Sequence, residues 1–404
     1  MLSNQALRPR RGTHQRTRQL NNQLVLRTIF DRSPVSRAEV ARITGLTRTT
    51  VSELVDEFIG GGLVREVGRG PSTGGKAPIL LEVPADARHL IGIDVGDTHL
   101  SGAIVDLRGQ VQHSVDVPLD GRDGDQALDR LEKLLEGLIE AAKDQLLGVG
   151  LGTPGLVDTS TGTVRWAVNL DWRDLPLGQH LQARTGLPVY VANDSQAAAL
   201  AEYTFGGHVD SHSMVVVRVG RGIGAGIVLD GRLYQGDGFG AGEIGHTAVA
   251  DNYRPCRCGS AGCLETIAST RAVVQRAREV APHAPESVLH QMMLDGLGFD
   301  ELVTAFEDGD PLVREIVVEA AHQLGRAIGG LVGALNVRHI VLVGEMTRLG
   351  EPWASVVRRE AHRSALALLA DETVIEIGRV QRNLVAVGAA ALLMTRELGL
   401  SLAG

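Results

Sequence analysis

The sequence predicts an α/β protein with a small basic helical head and a larger two-lobed body. Three observations carry this. Glycine is abundant, at 50 of 404 residues, while aromatics make up only 3%. Gly-rich turns around strands suit an α/β scaffold better than a helical bundle. Residues 1–90 hold 14 Lys and Arg against 8 Asp and Glu, a net of +6, whereas the remainder holds 26 against 40, a net of −14. Hairpin-led groups of strands occur twice in the acidic part, near residue 90 and again near residue 214. The length accommodates two or three domains with ample core. No apolar run reaches the ~18 residues of a membrane span. The basic N-terminus lacks the apolar stretch of a secretory signal. The expectation is a reduced, cytoplasmic chain with no membrane partner.

The basic head comes first. Residues 1–18 carry Arg8, Arg10, Arg11, Arg16 and Arg18 with little apolar content, which reads as a flexible tail. Residues 19–84 read as a winged helix-turn-helix. Leu24, Val25, Leu26, Ile29 and Phe30 suggest a first helix. Ser36-Arg37-Ala38-Glu39 has the form of a capping box opening a second. Gly45 breaks that helix and Thr47 can cap a third, in which Val51, Leu54, Val55 and Phe58 recur at helical spacing. Two strands, 63–67 and 78–83, flank the loop Gly68–Lys76, which reads as a basic wing.

The polar face of the third helix offers Thr47, Arg48, Thr49, Thr50 and Ser52. Small hydroxylated side chains let a helix sit deep in a major groove, and an arginine can bond a guanine edge twice. Ser36, Arg37, Arg69 and Lys76 complete the residues expected at DNA. The rival reading is a three-helix protein-interaction domain. A basic head on an acidic body favours a polyanion.

The body is expected to span residues 85–404. Strands read at 90–95, 99–106, 214–219 and 224–229, and helices at 124–145, 194–205, 311–335, 352–369 and 385–398. Two such units in one chain suggest a duplicated fold with a cleft between lobes. Lobe one takes about 85–192 plus the C-terminal helix 385–398. Lobe two takes about 193–384.

All three cysteines, Cys256, Cys258 and Cys263, fall within eight positions, with His246 ten residues upstream. Four such donors can surround one Zn²⁺ tetrahedrally, and an odd cysteine count disfavours a disulfide framework. With no fifth ligand offered, a closed structural zinc site in the loop 246–263 is expected. Glu243 and Glu265 flank the donors, so a metal there would also fix two carboxylates suited to a sugar's hydroxyls.

Glu243-Ile244-Gly245-His246 followed by Cys256-Arg257-Cys258-Gly259-Ser260-Ala261-Gly262-Cys263-Leu264-Glu265 resembles the signature pair of the repressor/open-reading-frame/kinase (ROK) family of bacterial sugar kinases and sugar-responsive regulators. The resemblance covers nearly the whole chain. It implies an actin-like/hexokinase-type (ribonuclease-H-like) body. The head resembles the winged helix of ROK regulators, which ROK kinases lack. The resemblance also implies that Asn193 and Asp194 contact sugar hydroxyls beside Glu243, His246 and Glu265. In a kinase Asp194 would be the general base. Asn169-Leu170-Asp171-Trp172 matches a sugar-side loop, and Gly220–Gly226 a phosphate-binding loop.

Two segments depart from the kinase pattern. Asp97 stands where a kinase carries glycine beside phosphate, and Glu345-Met346 interrupts a glycine run near the adenosine. Both substitutions are expected to oppose nucleotide binding, because phosphoryl transfer depends on positioning and charge neutralisation. The reading is a sugar-responsive transcriptional regulator, acting as a repressor of carbohydrate genes. Its partners would be a palindromic operator, a small sugar or phosphosugar, and further copies of itself as a dimer or tetramer. The alternatives are an ATP-dependent sugar kinase with a DNA-binding head and a regulator controlled by a partner protein.

Overall fold

The computed structural model describes residues 14–71, 77–142, 145–208, 211–380 and 382–400. The chain forms two compact units. Residues up to His89, with the last described residues from Met394, make the smaller; Leu90–Leu393 make the larger.

In the smaller unit the first helix runs from His14 to Arg32, so it begins inside the stretch expected to be a flexible tail. Its face of Val25, Leu26, Ile29 and Phe30 is buried. The helices Arg37–Thr44 and Arg48–Gly60 follow. Gly45 ends the first in the left-handed region, at φ 70°, with its N–H on Ala41 O; glycine adopts this conformation without steric cost. Val40, Val51, Leu54, Val55 and Phe58 close the core. The half-box at Ser36 forms, with its Oγ accepting from Glu39 N. The Glu39 carboxylate bonds Arg42 instead of reaching back to the cap. The wing strands are Arg65–Arg69 and Ile79–Glu82, joined by a two-residue strand Val35–Ser36 in the order Val35–Ser36, Ile79–Glu82, Arg65–Arg69. Arg65–Arg69 is exposed throughout. Lys76 lies outside the described residues.

The larger unit holds two five-stranded sheets of the same order. In the first, Val189–Asn193, Leu146–Thr153, His89–Val95, His99–Val105 and Val111–Pro118 lie side by side. In the second the sequence is Val374–Ile377, His339–Val343, Met214–Val219, Ile223–Leu229 and Arg232–Tyr234. Each pairs a hairpin-connected trio with two further strands, so the duplication extends to topology. The first sheet packs Ile91, Ile93, Leu100, Val149, Leu151 and Val191 against the helices Gly124–Ala142 and Leu177–Thr185. The second buries Val215, Val217, Ile340 and Leu342 under the long helix Pro311–Leu335 and the helix Gly350–Ser364.

The helices Asp194–Phe205 and Leu384–Leu398 approach each other and the first sheet at van der Waals limits. A Cβ on Gly388 would lie 1.7 Å from Ala197 O, and one on Gly92 would lie 1.9 Å from Ala386 O. The Ala-rich faces of these helices therefore reflect close packing. Asn193 at one strand end, and Arg218 and Gly220 at another, line one cavity. No helix is long and apolar enough to cross a membrane among the described residues.

Candidate functional site

One cavity of about 1180 Å³ collects residues from both sheets of the larger unit. All five residues expected at a sugar, Asn193, Asp194, Glu243, His246 and Glu265, line it. Asn193 ends its strand and caps the helix Asp194–Phe205: Oδ1 accepts from Ser195 N at 2.9 Å and Gln196 N at 3.2 Å. Its Nδ2 donates to Gly155 O at 3.0 Å. That side chain is thus occupied in holding the loop Thr153–Gly155 against the helix start.

Asp194 is tied as well. Its Oδ1 accepts from Ser195 N at 2.7 Å, and its Oδ2 takes Arg218 Nη1 at 2.8 Å. Arg218 sits in the otherwise apolar run Met214–Val219, and a charge inside a buried strand is the signal by which the sequence alone could have exposed it. Burial works against the Arg218 charge, yet Asp194 and Asp94 outweigh it and raise the guanidinium's pKa. Desolvation pushes the Asp94 carboxyl up to about 6, against the pull of Arg218, and Asp94 Oδ1 has no hydrogen-bond partner among the described residues.

Asp97 does not stand as a free negative charge. Arg221, in the glycine-rich loop of the second sheet, donates from Nε to both of its oxygens, at 3.0 and 3.2 Å. The expected repulsion of phosphate by Asp97 is therefore corrected: the pair is close to neutral, and it fills the gap between the two loops. Met346 is corrected too. It is fully buried in the core beneath the second sheet and does not face the cavity. Glu345 does face it, accepting from Thr270 Oγ1 at 3.0 Å. Of Asn169-Leu170-Asp171-Trp172, only Asn169 lines the cavity, since Leu170 and Trp172 are buried.

Glu265 accepts from Ile223 N at 3.1 Å and from Arg271 Nη2 at 2.7 Å. It braces the Gly-rich loop. Glu243 has no such partner among the described residues. Burial first, then the nearby Asp194 and Glu265 charges, push its carboxyl up to about 7. Its Oε2 lies 3.8 Å from His246 Nε2.

The other ring nitrogen of His246 turns to the cysteines. His246 Nδ1 is 3.7 Å from Cys256 Sγ, Cys258 Sγ is 3.7 Å from Cys263 Sγ, and all four donors lie within 4.8 Å of one another. Four ligands at Zn–S of about 2.3 Å would stand about 3.8 Å apart on a tetrahedron's edges. The Cys₃His cluster thus has the spacing to hold a metal ion, with Cys263 buried and its partners at the loop surface.

In the smaller unit, Arg48 and Thr49 are exposed at the start of the helix Arg48–Gly60, and Arg69 is exposed on the wing. Neither Arg48 nor Arg69 makes an ion pair among the described residues. Ser36 and Thr47 spend their oxygens capping helices, and Thr50 bonds Thr47. Arg37 is held by Asp56 and Glu66, at 2.9 Å each.

A ROK family model matches residues 90–396. The chain belongs to the ROK family. It is 31% identical to a xylose repressor from Caldicellulosiruptor bescii over 96% of its own length and 98% of the repressor's. Among solved structures, a ROK family transcriptional regulator described as a homologue of the E. coli MLC protein superposes with a TM-score of 0.84. It is 26% identical and covers 95% of this chain and 97% of its own. A ROK family glucokinase from Streptomyces griseus, bound to glucose and AMPPNP, has a TM-score of 0.70 and is 29% identical. It covers 98% of its own chain but only 75% of this one. This ROK member thus shares its body with a kinase, while its full length is matched by regulators.

Proposed function

We propose that this protein is a sugar-responsive, DNA-binding transcriptional repressor. The observation that carries the reading is the head joined to the ROK body: the regulators match 95–96% of the chain, and the glucokinase leaves about a quarter of it uncovered. Arg48, Thr49, Ser52 and Arg69 are the residues proposed to meet DNA. Ser36, Arg37, Thr47 and Thr50 hold the helix-turn-helix in shape and contribute through its backbone. Lys76 extends the wing's charge.

The cleft would take a monosaccharide or phosphosugar, with Glu243 as the carboxylate free to accept from a hydroxyl and His246 Nε2 beside it. A structural Zn²⁺ held by His246, Cys256, Cys258 and Cys263 would fix the ring through Nδ1, tying metal geometry to ligand geometry. A sugar acts only through different affinities for two states. Moving a population from 1:99 to 99:1 takes about 5.5 kcal/mol of differential binding, within reach of several charge-assisted hydrogen bonds. A twofold homodimer would read a palindrome.

The second reading is a kinase with a DNA-binding head, favoured by the loop Gly220–Gly226 and the glucokinase likeness. Against it, Asp194 is engaged by Arg218, and the Glu345 carboxylate lines the cavity where kinases carry a glycine run. The test begins with a selection from random duplexes to obtain an operator. Melting temperature and operator affinity are then followed across a panel of sugars, beside a coupled ATP assay. The proposed function requires at least one sugar to raise the melting temperature and weaken operator binding. Turnover near the ~1–100 s⁻¹ of kinases would replace it.

A further inference from the structure

Trp166 is the exposed member of three tryptophans. Trp353 and Trp172 are 0% and 4% exposed, while Trp166 stands at 45%, on the wall of the cleft beside Val168 at 43%. The strand Thr163–Ala167 sets it there. Leu156 pairs with Trp166 while the next residue, Val157, pairs with Val164, so Arg165 is an extra residue in the strand. A bulge of this kind re-aims the side chain beside it. Arg165 is itself anchored, by Asp158 at 3.2 Å and Asp174 at 3.3 Å. Trp166 is thus presented at the cavity wall from a braced bulge.

The backbone of Trp166 adjoins the residues expected at a sugar. A Cβ on Gly155 would stand 2.0 Å from Trp166 O, and Gly155 O is the acceptor for Asn193 Nδ2. Polar groups stand near the apolar pair on the cavity wall: Arg257, from the cysteine loop, donates to Asn169 Oδ1 at 3.2 Å. An aromatic face with hydrogen-bonding groups at its edge suits a pyranose. The polarised C–H bonds on one side of the sugar meet the negative face of the ring, while its hydroxyls reach the rim. The cavity, at about 1180 Å³, exceeds the usual range for a small ligand, about 300–1,000 Å³.

We propose that Trp166, with Val168, Asn169 and Arg257, forms a second sugar subsite, so that the effector is a glycoside of at least two rings. One ring sits by Glu243 and His246, and its neighbour stacks on Trp166. This inference rests on the sugar-cleft reading above.

Isothermal titration of the full chain compares D-xylose, D-glucose and N-acetylglucosamine with xylobiose, cellobiose and N,N′-diacetylchitobiose, alongside intrinsic tryptophan fluorescence. At least one disaccharide is expected to bind about tenfold more tightly than its own monosaccharide, as one stacked ring provides, and to shift the emission. Trp166→Ala removes that advantage while leaving monosaccharide affinity within about twofold. Trp166→Phe, which keeps an aromatic face and guards against a folding defect, retains most of it. Monosaccharide binding with no disaccharide advantage overturns the subsite and leaves the sugar reading standing. A disaccharide advantage that survives Trp166→Ala also overturns it. Failure of every sugar of either length overturns both.

Discussion

The Arg218 guanidinium lies 2.8 Å from Asp194 Oδ2, binding the one carboxylate that a kinase of this fold would use as a base. The ion pair is a built feature of the cleft: Arg218 also balances the half-buried Asp94. The Asp194 Oδ2 is thereby occupied by Arg218, while Oδ1 takes Ser195 N.

Arg218→Gln is expected to leave two carboxylates close together without a counter-charge. Leaving a partly buried carboxylate without its charged partner costs about 1–3 kcal/mol. Urea denaturation at neutral pH checks this. An unchanged midpoint would mean that Asp94 and Asp194 are solvated well enough without Arg218.

Asp94→Asn tests the pH side of the same network. The folded state raises the Asp94 pKa to about 6, so the fold favours the protonated carboxyl. Its contribution to stability is present at low pH and is lost as pH rises through about 6. The wild type should therefore lose about 3 kcal/mol relative to the Asp94→Asn variant between about pH 4 and 7, and no more above that. Parallel melting curves across this range would count against the shift.

Cys258→Ser should abolish the proposed metal site. Elemental analysis is expected to show about one equivalent of zinc in the wild type and none in the variant. Glu243 and His246 lie on the same loop, so the sugar response of operator binding should weaken with it. A metal-free variant that still responds fully to sugar would separate the two.

Arg48→Ala should cost about 1–3 kcal/mol on the selected operator and relax base preference at one position. Arg37→Ala, whose side chain is held by Asp56 and Glu66, should instead lower the stability of the head. Gel shifts on operator and random duplexes, with melting curves, distinguish these effects. Equal loss on both DNAs for Arg48→Ala would assign it to phosphate contact.

The head was readable because local rules suffice there. Ser36 and Thr47 are caps, Gly45 is a stop, and Val51, Leu54, Val55 and Phe58 are one helix face. The cysteine spacing was readable for the same reason, since its donors are close in sequence. Several helices in the second lobe, such as Thr270–Val280 and Phe299–Glu307, were not anticipated, because short amphipathic stretches become helices through packing on the core.

By itself the sequence determined which local units are present: the three helices and flanking strands of the head, a duplicated α/β body and a tight Cys₃His cluster, each written in local periodicity or spacing. Tertiary structure alone decided how the charges are spent. Asp97 is 124 residues from Arg221, and Asp194 is 24 from Arg218. Met346 turns into the core while Glu345 beside it faces the cavity. Whether a charge is free, paired or buried depends on neighbours that only the folded chain supplies, because Coulombic and desolvation terms act through space and not along the chain.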